Sequence, residues 1–338
     1  MDTNKVFITG FAGMVGSHLA DYLFENTNLE IHGFVRWQDD LENIHHLIEH
    51  INNKNRIFLH YGDLNDSNSI YKVVEEIIPK MVFHLAAQSY PLTSFNSSEE
   101  TYNTNILGTE RLLLACKRFC PKAAIHVCSS SEVFGKVPRA EVPINENCSF
   151  HPASPYAISK VGTDLIGRYF GEAYNMKVVT TRMFTHTGPR RGDVFAESSF
   201  AKQIAMIEKK IIKPQIYVGN LDSMRTWADV RDAVRAYYLL LMSDFKPGDY
   251  YNIGGDFSCT IREMLNKLIS LSNYKDEIKI MIDSSRIRPI DADLQIPDMS
   301  KFKNHINWSP RYNFDNTMKD LLNYWRFKIK TKKEFLRR

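Results

Sequence analysis

At 338 residues, 43% hydrophobic and 24% charged, the chain has the composition of a globular protein with a sizeable core, long enough for one large body with a second lobe. The net charge of +4 is mild and, apart from the basic run Lys328 to Arg338, dispersed, which argues against a nucleic-acid partner; no segment approaches the roughly 18 apolar residues of a membrane span. Met1 to Asn4 lead straight into a strand-like run with no room for a signal peptide, and five cysteines without a CxxC spacing point to a reduced, cytoplasmic protein with no metal site.

The first element is the apolar run Lys5 to Thr9, which stops at Gly10; from Gly13 a helical pattern follows, with Val15, Leu19, Leu23 and Phe24 on one face. Further strands are expected at Glu30 to Val35, Ile57 to Tyr61, Met81 to Leu85 and Ala124 to Cys128. Helical stretches, Leu41 to Ile51, Ser69 to Ile78 and Asn105 to Cys120, lie between them. A long helix, Tyr156 to Tyr174, feeds a strand at Lys177 to Arg182. Helix Phe200 to Lys209, a strand near Ile216 to Val218, helix Val230 to Met242, the stretch Tyr250 to Ile253, helix Ile261 to Leu271 and a proline-punctuated end complete the chain. Strand alternating with helix predicts an α/β fold, a Rossmann-like doubly wound parallel sheet with a smaller C-terminal substrate-binding lobe. We divide it into a dinucleotide-binding body, 1–182, to which some later segments return, and a lobe, 183–338, that mainly binds substrate.

The turn after the first strand reads Gly10-Phe11-Ala12-Gly13-Met14-Val15-Gly16. Gly10 permits the tight turn, Gly13 lets backbone approach a pyrophosphate, and Gly16 allows close packing, while the helix start at Met14 and Val15 faces the phosphates with free N–H groups. The second strand ends Val35-Arg36-Trp37 with no acid before Asp39. A guanidinium at Arg36 matches a 2′-phosphate, so NADP is expected ahead of NAD. Asp63 and Leu64 follow the third strand; the Asp63 carboxylate either accepts from the adenine amino group or simply forms the turn. Small side chains at Leu85-Ala86-Ala87 let backbone lie against the cofactor, and His84 reads as a packed or capping histidine.

Tyr156 and Lys160 stand at i and i+4 on one helix face, where an ammonium and an oxidised nicotinamide would lower the phenol's pKa. The fifth strand ends in Ser129-Ser130-Ser131-Glu132 at the edge where parallel sheets bind ligands. A hydroxyl at Ser130 can share the substrate oxygen with Tyr156. Glu132 is more telling: removing a proton α to a ketone needs a second base, and simple hydride transfer does not.

Together these residues resemble the extended short-chain dehydrogenase/reductase family, and within it the sugar-nucleotide 4,6-dehydratases, from Gly10 to about Trp325. The segment Ser130 to Gly135 is similar to that of GDP-mannose 4,6-dehydratases, as are His32 to Arg36, Gly188 to Gly192, Asn220 to Arg225 and Arg286 to Pro289. The resemblance implies Ser130, Glu132, Tyr156 and Lys160 as catalytic residues. It also implies that Ser94, Thr185, Arg190, Arg191, Arg225 and Arg288 bind substrate, with Arg225 and Arg288 on the diphosphate. The substrate would be GDP-mannose or, with a roomier pocket, a GDP-heptose of manno configuration, and the assembly a homodimer or homotetramer. Two positions depart from the pattern: Thr185 stands where the family has a substrate-contacting asparagine, and Ser130 replaces threonine. A nucleotide-sugar epimerase or C4 dehydrogenase shares Tyr156 and Lys160 but has no task for Glu132; a non-catalytic dinucleotide-binding regulator needs none of the three.

Overall fold

The computed structural model describes residues 4–287 and 292–331, so the expectation for Arg288 lies outside the described residues. Seven strands form one wholly parallel sheet: β1 (Lys5–Thr9), β2 (Glu30–Val35), β3 (Ile57–Tyr61), β4 (Met81–His84), β5 (Ala124–Cys128), β6 (Val178–Met183) and β7 (Tyr250–Ile253). Their spatial order is β7-β6-β5-β4-β1-β2-β3. The chain runs outward from β1 through β2 to β3, then returns to lay β4 on β1's other side. That reversal opens a crevice at the carboxyl ends of β1 and β4, the place where ligands enter such sheets.

Alternation along β1 explains why both faces are covered. Val6 and Ile8 join the core beneath the helices Met14–Asn26 and Val230–Met242, while Phe7 joins the one beneath Ser67–Ile77 and Gly108–Phe119. Helix Ser67–Ile77 shows the local logic. The Asp66 carboxylate accepts from the Asn68 and Ser69 N–H groups, Ile70, Val73, Val74 and Ile77 repeat on the buried face, and Ile78 ends the helix with φ 49°. A separate apolar cluster, around Phe200, Ile204, Ile216, Leu265, Met318 and Trp325, joins helices Ala196–Glu208, Ile261–Ser270 and Phe314–Thr331.

Several expectations need correction. The fourth strand stops at His84, because the next two backbone N–H groups turn to the Thr9 hydroxyl. Leu41 to Ile51 divides into a 3-10 turn, Glu42–Leu47, and a short helix, Ile48–Asn52, neither with a side-chain N-cap. The helix expected from Asn105 begins as a π-turn, Asn103–Leu107, before Gly108–Phe119. The proline-punctuated end contains helix Phe314–Thr331, with Met318, Leu321, Leu322, Trp325 and Ile329 turned inward at helical spacing.

The helix Pro155–Tyr174, which carries Tyr156 and Lys160, starts with Ser154 capping the Ala157 N–H and a proline in its first turn. It is pinned to β6 by a buried two-pronged ion pair: Arg182 Nε and Nη2 donate to the Asp164 carboxylate at 2.8 and 3.0 Å. Arg182 Nη1 donates to the Glu146 carbonyl, so its fork is satisfied where an unpaired charge would be costly. Among the described residues, no helix is long and apolar enough to cross a membrane.

Candidate active site

The glycine turn is shaped by close backbone contact. Gly10 adopts φ +70°, and a Cβ there would lie 2.8 Å from the Ala86 nitrogen; a Cβ on Gly16 would strike the Gly10 carbonyl and lie 2.8 Å from the Phe11 Cα. Gly16 therefore packs on the turn itself. Gly13 sits at the N-cap of helix Met14–Asn26, offers no side-chain acceptor, and is followed by no acid in the first turn. The N–H groups around Met14 and Val15 thus remain for an external anion, which fits a dinucleotide pyrophosphate.

A buried polar chain ties this turn to the rest of the cleft. The Thr9 hydroxyl accepts from the Leu85 and Ala86 N–H groups, each at 3.1 Å, and so donates to His84 Nδ1 at 2.8 Å. His84 Nε2 then donates to Thr109 at 3.0 Å, which assigns the neutral Nε2–H tautomer; burial lowers its pKa to about 3. Asn105, in the π-turn, binds the Gln88 backbone on both sides and donates to Ser159 at 2.8 Å, reaching the helix of Tyr156. Thr9, Thr109 and Asn105 escaped the sequence reading; the one local signal was an Asn-x-x-Gly-Thr run of poor helix formers inside a helical stretch.

Ser130, Glu132, Tyr156 and Lys160 come together at the carboxyl end of β5. Lys160 Nζ donates to the Cys128 carbonyl at 2.8 Å and lies 6.0 Å from the centre of the Tyr156 ring. Ser130 hydrogen-bonds the phenol, and its Oγ also accepts from the Glu132 N–H at 3.2 Å, capping the 3-10 turn Ser131–Phe134. Burial pushes the Tyr156 phenol well above its ordinary pKa. The Ser130 hydrogen bond and the Arg191 charge pull it down, while Cys128 and Glu132 raise it further. Lowering by Lys160 was expected; instead burial prevails, and it also lowers the lysine's own pKa. Tyr156 is therefore a protonated phenol in the chain by itself.

Other expected residues are placed less directly. Ser94 is fully buried; it accepts from the Tyr156 N–H at 3.0 Å and donates to the Pro91 carbonyl, so it supports the catalytic helix from below. Arg36 is held by Asp39, with Nε 2.9 Å from the carboxylate, in an exposed pair worth about 0–1 kcal/mol and easily exchanged for a phosphate. Asp63 accepts from the Asn65 N–H in a turn, and Leu64 is buried beside it. Ala87 follows the Leu85–Ala86 contact at the cleft edge. Arg190 points away from the cluster to Asp21 on the first helix, at 2.7 Å. Arg191 lies 3.4 Å over the Phe195 ring, bonded to Glu197, near enough to act on Tyr156 and on His186, whose pKa burial lowers to about 4. Thr185 is half-buried two residues beyond β6, its carbonyl accepting from the Ala228 N–H. Arg225 is buried, bonded to the Met224 carbonyl and to that of Ala292.

The model of the family described as GDP-mannose 4,6 dehydratase matches residues 7–321. The chain belongs to that family. It is 32% identical to the human GDP-mannose 4,6 dehydratase, over 94% of this chain and 90% of the relative, and 31% identical to that of Yersinia enterocolitica, over 90% and 89%. RMD from Pseudomonas aeruginosa, solved with NADPH, superposes with a TM-score of 0.80 at 27% identity, over 96% of this chain and all of that one. A UDP-glucose 4-epimerase from Thermotoga maritima, at 23% identity and TM-score 0.83, shares the fold. The dehydratase family is a family of enzymes.

The buried histidines of this dehydratase-family chain make stability depend on pH. His84 and His126 each take up a proton near pH 6.5 when unfolded but only near pH 3 when folded. Their share of stability is therefore complete above pH 6.5 and is lost as pH falls towards 3; at pH 5 the loss is about 2 kcal/mol per histidine. The melting temperature should fall between pH 7 and pH 5, less steeply in a His126→Asn variant; a flat wild-type profile would contradict this.

Proposed function

We propose that the chain is a lyase, a GDP-sugar 4,6-dehydratase that converts a GDP-linked sugar of manno configuration, hexose or heptose, to its 4-keto-6-deoxy product with NADP retained. The observation that carries the reading is the shared electrostatic neighbourhood of Tyr156 and Glu132, with Ser130 between them. An epimerase or a C4 dehydrogenase has no use for that carboxylate. The names of the relatives support the GDP-mannose substrate. The NADPH of the Pseudomonas structure and the Arg36 side chain support NADP.

Ser130 orients the C4 hydroxyl, and Tyr156 takes its proton. The bound dinucleotide supplies a hydride acceptor at C4 and the same hydride for C6. With C4 a ketone, the C5–H is acidic and Glu132 removes it. Of the two protons taken by Tyr156 and Glu132, one leaves with the C6 hydroxyl as water and one returns to C5. Lys160 is tethered to the Cys128 carbonyl beside the phenol; a cationic nicotinamide, with the Ser130 hydrogen bond and the Arg191 charge, would offset the burial that keeps Tyr156 protonated. Arg225 is assigned to the substrate diphosphate together with Arg288, and Thr185 and Arg191 to the sugar side of the cleft.

We also propose that the chain self-associates, as a homodimer or homotetramer, through the exposed apolar residues Leu107, Leu114, Ile158, Leu165 and Tyr169. Light scattering should give two or four times the chain mass, reduced by Leu165→Lys; a monomeric wild type would remove the assignment.

The activity test compares GDP-mannose with a GDP-manno-heptose, following product mass and the near-ultraviolet absorbance of reduced nicotinamide. The expected result is loss of one water from one of them with no accumulating NADPH. Stoichiometric NADPH would indicate a dehydrogenase, and an unchanged mass an epimerase. Glu132→Gln should retain single-turnover hydride transfer while dehydration falls by about 10²–10⁴-fold; undiminished dehydration would remove Glu132 from the mechanism.

A further inference from the structure

Three of the four tryptophans are buried, Trp227, Trp308 and Trp325 at 4%, 3% and 3% exposure, whereas Trp37 is 82% exposed. It follows β2 directly after Arg36 and meets Tyr61 edge-on, with ring centroids 5.2 Å apart at 60°. Tyr61, 48% exposed, is the last residue of β3 and pairs in register with Val35, the last of β2. Two large aromatic rings therefore stand in solvent at the ligand-binding edge of the sheet, one strand beyond the glycine turn. Burying such rings is worth far more than leaving them wet, so their exposure calls for a partner.

The order of groups along that edge says which partner. From β1 outwards come the open helix N-terminus at Gly13, then the Arg36 guanidinium, then the Trp37–Tyr61 pair. An adenosine dinucleotide carrying a 2′-phosphate presents its pyrophosphate, its 2′-phosphate and its flat base in the same succession. We infer that Trp37, braced by Tyr61, is the stacking wall for the adenine ring and determines much of the affinity for the dinucleotide. The inference rests on the NADP reading above and adds a division of labour to it. Arg36 distinguishes NADP from NAD, whereas Trp37 acts on the adenine that both share. A base–aromatic stack is indifferent to the ribose substituent, so its loss must weaken both dinucleotides alike.

The test uses the whole chain, with 2′,5′-ADP, NADP+ and NAD+ as probes. Because Trp37 is the one exposed tryptophan of the four, intrinsic fluorescence reports on it selectively. Adding 2′,5′-ADP should quench and blue-shift the emission and protect it from acrylamide, effects absent in Trp37→Phe. By calorimetry, Trp37→Ala should weaken NADP+ and NAD+ by a similar factor, roughly 5- to 100-fold, with Trp37→Phe in between; Arg36→Ala should weaken NADP+ alone. Unchanged dinucleotide affinity in Trp37→Ala, or emission indifferent to 2′,5′-ADP while NADP+ still binds, overturns the stacking role and leaves the NADP reading intact. Failure of the wild-type chain to bind either dinucleotide overturns both. A changed particle mass in Trp37→Ala with unchanged affinity also overturns the inference, in favour of a contact between copies of the chain.

Discussion

The ammonium of Lys160 is buried, and its bond to the Cys128 carbonyl at 2.8 Å joins two pieces of chain that the chemistry must keep together. One is the helix Pro155–Tyr174, which carries the phenol; the other is the end of β5, which carries Ser130 and Glu132. A buried cation needs a partner. Here the partner is a carbonyl rather than a carboxylate, and burial lowers the lysine's own pKa. The Asp164–Arg182 pair, about one helical turn further on, fixes the same helix to β6.

Burial sets the protonation state of the cleft. It keeps Tyr156 a phenol, lowers the pKa of Lys160 and leaves His84 and His186 neutral. A neutral His84 can accept from Thr9 while donating to Thr109, which a charged imidazole could not do. The polar chain from the glycine turn through His84, Thr109 and Asn105 to Ser159 thus connects the start of the first helix to the helix of Tyr156 without any ionised member. In the proposed mechanism Tyr156 would become a useful base only with a positive ring beside it, which would couple proton removal to occupancy of the crevice.

Much of the sheet was legible in the sequence because β1, β3 and β5 are short apolar runs ended by glycine or serine, and helices such as Ser67–Ile77 repeat their buried residues at helical spacing. The short pairing of β7 with β6 was not, since Tyr250–Ile253 is a four-residue run whose neighbour is chosen by tertiary packing. That Ser130, Glu132, Tyr156 and Lys160 cluster was legible for a chemical reason, as a phenol and ammonium at i and i+4 and a carboxylate just past a strand end are informative at short range. The fate of individual arginines was not: Arg190 finds Asp21 at a separation of 169 residues, and Arg36 is claimed by Asp39 within its own turn. Ser94 was given to the substrate by resemblance, whereas its hydroxyl is consumed by the backbone of Pro91 and Tyr156.

The central claim, that Tyr156 and Glu132 act on adjacent carbons of one bound sugar, is tested most directly by isotopes. A GDP-manno-sugar deuterated at C4 should give a product with that deuterium at C6, and unlabelled substrate turned over in heavy water should gain one deuterium at C5 and none at C6. Deuterium from solvent at C6, or a C5 that never exchanges during water loss, would contradict the account.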